Sequence, residues 1–282
     1  MKYLKSLTLK SLMIATLVSF GLISCSEDDS STNNGEGTAN LTVRMTDAPG
    51  DYDAVLVDVQ DVEIHVETEA EGELEGDEDG DGWISVGDVE TGVYDLLELT
   101  GGVSQLLADT EVPAGFVSQM RLVLGSENSV VIDGESKPLN TPSAQQSGLK
   151  LQINQEFIAG ENYAFLLDFD VDKSVVTTGN GSYNLKPVIR VSAEADAGMV
   201  VGKVIIPETI EIDVQSLAVL TNGSITVSAY TNDEGEFALK GVPAGTYTLT
   251  ITPQSDVDLD VHTNTEVEVR PNETTDLGEI EL

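Results

Sequence analysis

From Leu41 onward, apolar residues recur at every second position, the spacing that puts one set of side chains on one face of a β-strand. "LTVRM" aligns Leu41, Val43 and Met45, and "AVLVDV" aligns Val55, Val57 and Val59. In "VEIHVE" the apolar set is Val62, Ile64 and Val66, so the buried parity switches from odd to even across Gln60-Asp61. A one-residue slip exchanges the two faces of a strand, so a bulge or tight turn is expected there. Further alternating stretches follow at "SQMRLVL", "SVVID", "LKLQI", "NYAFLLDFDV" and "NLKPVIRVSAEA". Only "GVSQLLAD" reads as a helical turn, with Val103, Leu106 and Leu107 following Gly101-Gly102. Many short strands divided by Gly, Pro and Asn turns predict a β-sandwich.

Such a chain must close its cores without disulfides. Its one cysteine, Cys25, ends an uncharged apolar run, Leu12 to Ile23, that follows Lys2, Lys5 and Lys10. The run is too short to span a bilayer and has the layout of a secretory signal. "LISC" resembles a bacterial lipobox, which implies cleavage before Cys25 and lipidation of its thiol. The competing reading of a lone cysteine is a buried apolar residue; the polar "SEDDSSTNNGEGTA" that follows offers nothing to pack against. Ser26 after the cysteine argues against inner-membrane retention in a Gram-negative cell. "SEDD" resembles the acidic signal of surface lipoproteins, so the expected location is the outer membrane, facing outward, with the periplasmic face as the alternative.

Cleavage removes three lysines and no acid. It leaves 10 basic against 50 acidic residues, a net charge of −40. So acidic a surface argues against nucleic acid or an anionic membrane as a direct partner and favours divalent cations or neutral ligands.

A second unit begins near "GMVVGKVII". "TNDEG", Phe237 and Leu239, and "GVPAGTYTLTI" with Tyr247, Leu249 and Ile251 alternating resemble the carboxypeptidase-regulatory, transthyretin-like family. The stretch "ETIEIDVQSLAVLTNG" departs from that family's short turn. The first unit, through "LTVRMTDAPGDYDAVLVDVQDVEIHV", "YDLLELTGG", "VPAGFVSQMRLVL", "LLDFDVDKSVV" and "YNLKPVIRV", resembles an uncharacterised bacterial family, domain of unknown function 4382. The resemblance implies export and no known activity. "VPAG" recurs at 112–115 and 242–245, which suggests one hairpin turn used twice. The expected organisation is all-β. A signal (1–24) and a lipidated flexible tether (25–39) precede two immunoglobulin- or transthyretin-like sandwiches, residues 40–194 and 200–282.

One calcium loop is expected, and a second acidic stretch is a weaker cation candidate for which a merely solvated edge is the favoured reading. Residues 77–88, "DEDGDGWISVGD", set Asp77, Asp79 and Asp81 at positions 1, 3 and 5 of a twelve-residue calcium loop, the spacing of an EF-hand. Gly82 occupies position 6, the Trp83 carbonyl position 7, and Asp88 closes the loop at position 12. The flanks read as strands, and an ion-free acidic insertion is the plainer reading. In "LLDFDVDKS", Asp168, Asp170 and Asp172 alternate opposite Leu167, Phe169 and Val171 as a weaker candidate, with Lys173 on the wrong face. Asp47, Asp51 and Asp53 gather in the turn "TDAPGDYD". His65 between Glu63 and Glu67 reads as a solvated face more readily than as a metal triad. No catalytic motif appears, so the expectation is a non-enzymatic, monomeric envelope protein that touches the membrane through its lipid alone and binds a glycan or adheres. The alternatives are an assembly subunit pairing with an envelope protein through edge strands, and a carboxylate glycoside hydrolase.

Overall fold

A bulge does sit where the alternation changes parity. Strand β2 (Ala54–Glu67) runs unbroken, but its register against β6 (Gly115–Leu124) shifts between Val59 and Asp61. That extra residue lets Val55, Val57 and Val59, then Val62, Ile64 and Val66, all enter one core. The computed structural model describes residues 37–67, 82–141, 148–207, 214–254 and 259–282. Cys25, the signal, most of the tether, and Asp77, Asp79 and Asp81 lie outside the described residues.

The described residues form two lobes, each with two facing sheets and its own apolar core. In the first lobe one sheet has the order β13 (Ile189–Ala193), β10 (Asn162–Asp170), β1 (Thr38–Ala48), β5 (Gln105–Pro113). Its partner sheet runs β11 (Val175–Thr177), β12 (Tyr183–Leu185), β8 (Glu135–Asn140), β7 (Ser129–Ile132), β2, β6, β9 (Leu149–Phe157). The short β3 (Trp83–Ser85) and β4 (Gly92–Asp95) also pair with β2. In the second lobe the sheets are β17 (Glu236–Pro243), β14 (Ala197–Ile205), β20 (Thr274–Glu281) and β16 (Thr226–Tyr230), β15 (Ser216–Thr221), β18 (Gly245–Pro253), β19 (His262–Val269).

The two lobes share one topology. The first strand of each, β1 or β14, lies between an antiparallel neighbour, β5 or β17, and a parallel one, β10 or β20. Opposite them, β7-β2-β6-β9 corresponds to β16-β15-β18-β19, antiparallel throughout. The recurrent "VPAG" marks this equivalence, but as a corner and not a hairpin. At Ala114 the chain leaves β5 in one sheet and enters β6 in the other, and at Ala244 it does the same from β17 to β18. Just after the second corner Tyr247, 1% exposed, fills the core while its hydroxyl donates to the Pro243 carbonyl at 2.8 Å. Burying the ring and satisfying its one polar atom together lock the corner.

The helical reading of "GVSQLLAD" is overturned. Gln105–Ala108 extend along β1, opposite Val43–Met45, and a bulge there lets adjacent Leu107 and Ala108 both be buried. Pairing with the open edge of β1 outweighs a weak helical pattern. The helical turns fall elsewhere. Leu96–Leu99 forms a 3-10 turn capped by Asp95, whose carboxylate accepts from the Leu97 amide at 3.1 Å, and α1 (Val171–Ser174) follows β10.

Candidate functional site

β10 is buried on both sides, Phe165 through Phe169, because its sheet packs inward on its own core and outward against the second lobe. On that outward face, register places Thr46, Asp168 and Arg190 side by side across β1, β10 and β13. The guanidinium engages Asp168 through Oδ2, from Nη2 at 2.6 Å and Nε at 3.2 Å. Its Nη1 donates to Ser192 Oγ and, across the junction, to the Gly241 carbonyl at 2.5 Å; Ser192 Oγ donates to the same carbonyl at 2.8 Å. Gly241 is left-handed (φ +62°), and a Cβ there would come within 3.0 Å of Leu166 and 3.2 Å of Ser192. The approach of the lobes therefore depends on a bare backbone at that point.

Beside this knot stands Asp47, 3% exposed, whose carboxyl has no side-chain hydrogen-bond partner among the described residues and only the backbone amides of Val171 and Ala48 beside it. Burial, then the neighbouring Asp168 charge, pushes its carboxyl up to about 9, against smaller lowering by the backbone amides of Val171 and Ala48. Burial also raises Asp168, with Arg190 pulling the other way. Asp47 and Asp168 line one small cavity, about 10 Å³, roofed by Val227–Ala229 and Ala238–Lys240 of the second lobe.

A larger, open crevice of about 340 Å³ lies between the same lobes. The turn after β1 supplies Asp51, Tyr52 and Asp53, the β7–β8 turn supplies Asp133, and the second lobe supplies Gln215, Tyr230 and Gln254. Backbone detail sets this rim. Asp53 Oδ2 accepts from the Gly134 amide at 2.8 Å, tying two first-lobe turns together, and the Gln254 amide donates to the Gln215 carbonyl at 2.8 Å. Gly50 is required in the turn, because a Cβ would sit 2.8 Å from Val171. Partial burial raises both tyrosine hydroxyls, and Asp51 and Asp172 push each in the same direction. The crevice is thus lined by two tyrosines, carboxylate acceptors and side-chain amides contributed by both lobes.

The sequence-predicted residues fall in different places. Asp168, Asp170 and Asp172 do not share a strand face, because β10 ends at Asp170 and the chain turns helically. Asp170 caps that turn, accepting from the Lys173 amide at 3.0 Å, and the turn swings Lys173 round to pair with Asp170 at 2.5 Å. Trp83, 8% exposed, is covered by Arg121 (4.4 Å from the ring centre) and Lys150 (5.1 Å), with His65 edge-on. It is therefore no open platform for a sugar. Glu63 pairs with Arg121, and His65 Nδ1 lies 2.8 Å from Ser118 Oγ, so the Glu-His-Glu face is already engaged. Asp88 sits exposed in a left-handed turn (φ +47°) after β3. Among the described residues, no three His, Cys, Asp or Glu side chains converge as a metal-holding group. Sequence reading missed Arg190 and the crevice tyrosines. The available signal was charge inside each of two otherwise apolar strands, Asp168 in "LLDFD" and Arg190 in "VIRVS".

The profile of a family described as "Domain of unknown function (DUF4382)" matches residues 38–187, over half of the chain. No curated protein matches the chain. Among solved structures, a cohesin–X-dockerin complex from Acetivibrio cellulolyticus is 23% identical, over 29% of this chain and 52% of that one (TM-score 0.22). The Bacillus anthracis TIE protein is 12% identical over 87% and 34% (0.21). The shaft pilin SpaA from Lactobacillus rhamnosus GG is 11% identical over 86% and 96% (0.22). The chain spans about half the length of the first and about a third of the second. Scores this low carry no functional argument.

Proposed function

The chain belongs to the DUF4382 family, and we propose, from its sequence, a lipid-anchored envelope protein and, from its geometry, one that binds a neutral glycan in the crevice between its lobes. The observation that carries this reading is the crevice wall. Tyr52 and Tyr230, one from each lobe, line it where a ring could stack on the apolar side of a sugar, while Asp51, Asp53, Asp133, Gln215 and Gln254 line it with acceptors and donors for its hydroxyls. The volume falls within the range of small-ligand pockets. The strong negative charge favours a neutral sugar over an acidic one.

Edge-strand assembly fits less well. On the outer strand β20, Asp276, Glu279 and Glu281 are exposed, and Gly278 (φ +66°) makes a bulge whose amide is taken by Asp276 Oδ1 at 2.9 Å. Charges and bulges are the means by which edges avoid pairing. A hydrolase is disfavoured too, because the strongly perturbed carboxyl faces a cavity of single-water size and not a cleft. The test is a polysaccharide array probed with the intact chain carrying Cys25→Ser. Binding to neutral glycans is the expected result, and binding only to an envelope protein in pull-downs would favour assembly instead.

Anchoring makes a separate prediction. Cys25→Ser releases the chain from membranes, because the short apolar segment cannot replace lipid chains as a stable hold. Wild-type protein that washes off as readily as the variant refutes the anchor. Protease added to intact cells removes the wild type if it faces outward, and complete protection places it on the periplasmic side.

Residues 77–88 are proposed as a calcium loop at a hairpin tip. Support comes from β3, whose antiparallel pairing with β2 holds positions 7–9 of the loop on an ordered strand. Affinity on the order of 10⁻⁴ M is expected. Calorimetry should show a calcium-dependent rise in melting temperature that is reduced by Asp79→Ala/Asp81→Ala. An unchanged rise in that variant removes the loop as its source.

A further inference from the structure

The crevice between the lobes carries charge of one sign. Among the described residues lining it, Asp51, Asp53 and Asp133 are acidic and none is Lys, Arg or His. Asp53 is engaged by the Gly134 amide. Asp51 and Asp133 are exposed and take part in no ion pair among the described residues. The negative field crosses the crevice. After burial, the larger cause, Asp51 and Asp172 push up the hydroxyls of both Tyr52 and Tyr230, which belong to different lobes. A neutral sugar engages the amides and hydroxyls of such a wall but leaves its charge uncompensated. The same sign that disfavours an acidic sugar favours a basic one.

We propose that the crevice selects sugars bearing a free, protonated amine over their hydroxyl or N-acetyl counterparts, with Asp51 and Asp133 as the carboxylates that attract it. This rests on the glycan reading of the crevice and adds the charge of its preferred ligand. An ammonium offers three donors and no acceptor, which suits a wall of carboxylates, and tyrosine rings attract cations as well. A hydroxyl or an N-acetyl group in the same place brings no charge. An ammonium also needs no ring of converging oxygens, unlike a metal ion, and none is present among the described residues. Because both carboxylates are exposed, the gain is modest. Opposite unit charges at contact distance in water tighten binding about fivefold.

The experiment uses β-1,4-linked oligomers of equal length built from glucose, N-acetylglucosamine or glucosamine, which differ only at one ring position. Each is titrated calorimetrically into the intact chain carrying Cys25→Ser, in low salt at about pH 6, where exposed carboxyl groups are ionised. The glucosamine oligomer should bind about fivefold tighter than the other two. That ratio should shrink toward one in 1 M salt, where screening acts within about 3 Å. Asp51→Asn/Asp133→Asn should also bring the ratio to about one. Both positions are exposed, and Asn tolerates the left-handed backbone of Asp133 (φ +52°), so the variant keeps the fold. It also keeps most of the negative charge of the chain, so a preference that survives it reflects overall attraction and overturns the proposal. Equal binding of all three oligomers by the parent chain overturns the proposal and leaves the glycan reading standing. Failure of all three to bind overturns the proposal too, while the array still judges the glycan reading.

Discussion

Arg190→Ala is expected to lower the unfolding free energy by about 3–5 kcal/mol, the loss that follows when one member of a buried ion pair is removed. The change strips Asp168, 8% exposed, of its counter-charge, and it leaves the Gly241 carbonyl of the second lobe with Ser192 alone. Because the guanidinium is one of the side-chain ties between lobes, the urea transition of the variant should also broaden toward two steps. The paired change Arg190→Met/Asp168→Leu should recover most of the loss, since it removes both charges together. A loss below about 1 kcal/mol for Arg190→Ala, on the scale of an exposed pair, would mean the junction is held by other contacts.

Raising the pH in calcium-free buffer is expected to weaken the fold steadily. The Asp47 carboxyl keeps its proton in the folded chain up to about 9, whereas the unfolded chain releases it near 3.8. Between those values the unfolded state holds fewer protons, so stability falls as pH rises, by up to about 1.4 kcal/mol per unit. The contribution is fully present below the lower value and lost above the upper one. Asp168, Asp170, Arg190 and Lys240 share the junction, so the informative quantity is wild type minus Asp47→Asn. Urea midpoints at pH 5, 7 and 9 should show the variant gaining relative to wild type at each step. Parallel pH curves would show that Asp47 is already compensated in the folded chain.

Period two carried most of the fold in the sequence. It marked most of the long strands, and the parity change at Gln60-Asp61 located the bulge in β2 because one buried core demands one set of inward residues. Its failures have local causes. In "GVSQLLAD" a bulge makes adjacent residues inward, which breaks the alternation and imitates a helical pair. In "LLDFDVDKS" the alternation continues on paper past Asp170, where the backbone has already turned. The candidate site was less legible. Tyr52 and Tyr230 lie 178 residues apart, and only the packing of one lobe on the other brings them to one crevice. Arg190 and Asp168 likewise meet through strand register, which residue spacing alone does not give.

The central claim is that the crevice between the lobes holds the ligand. The direct measurement is the affinity of the best array polysaccharide for the intact chain, for Tyr52→Ala and for Tyr230→Ala, with folding checked by urea midpoint. Loss of one sugar-stacking face of about 1–2 kcal/mol predicts a five- to thirty-fold weaker dissociation constant for each variant. Unchanged affinity in both variants, with the fold intact, would place the ligand elsewhere and contradict the account.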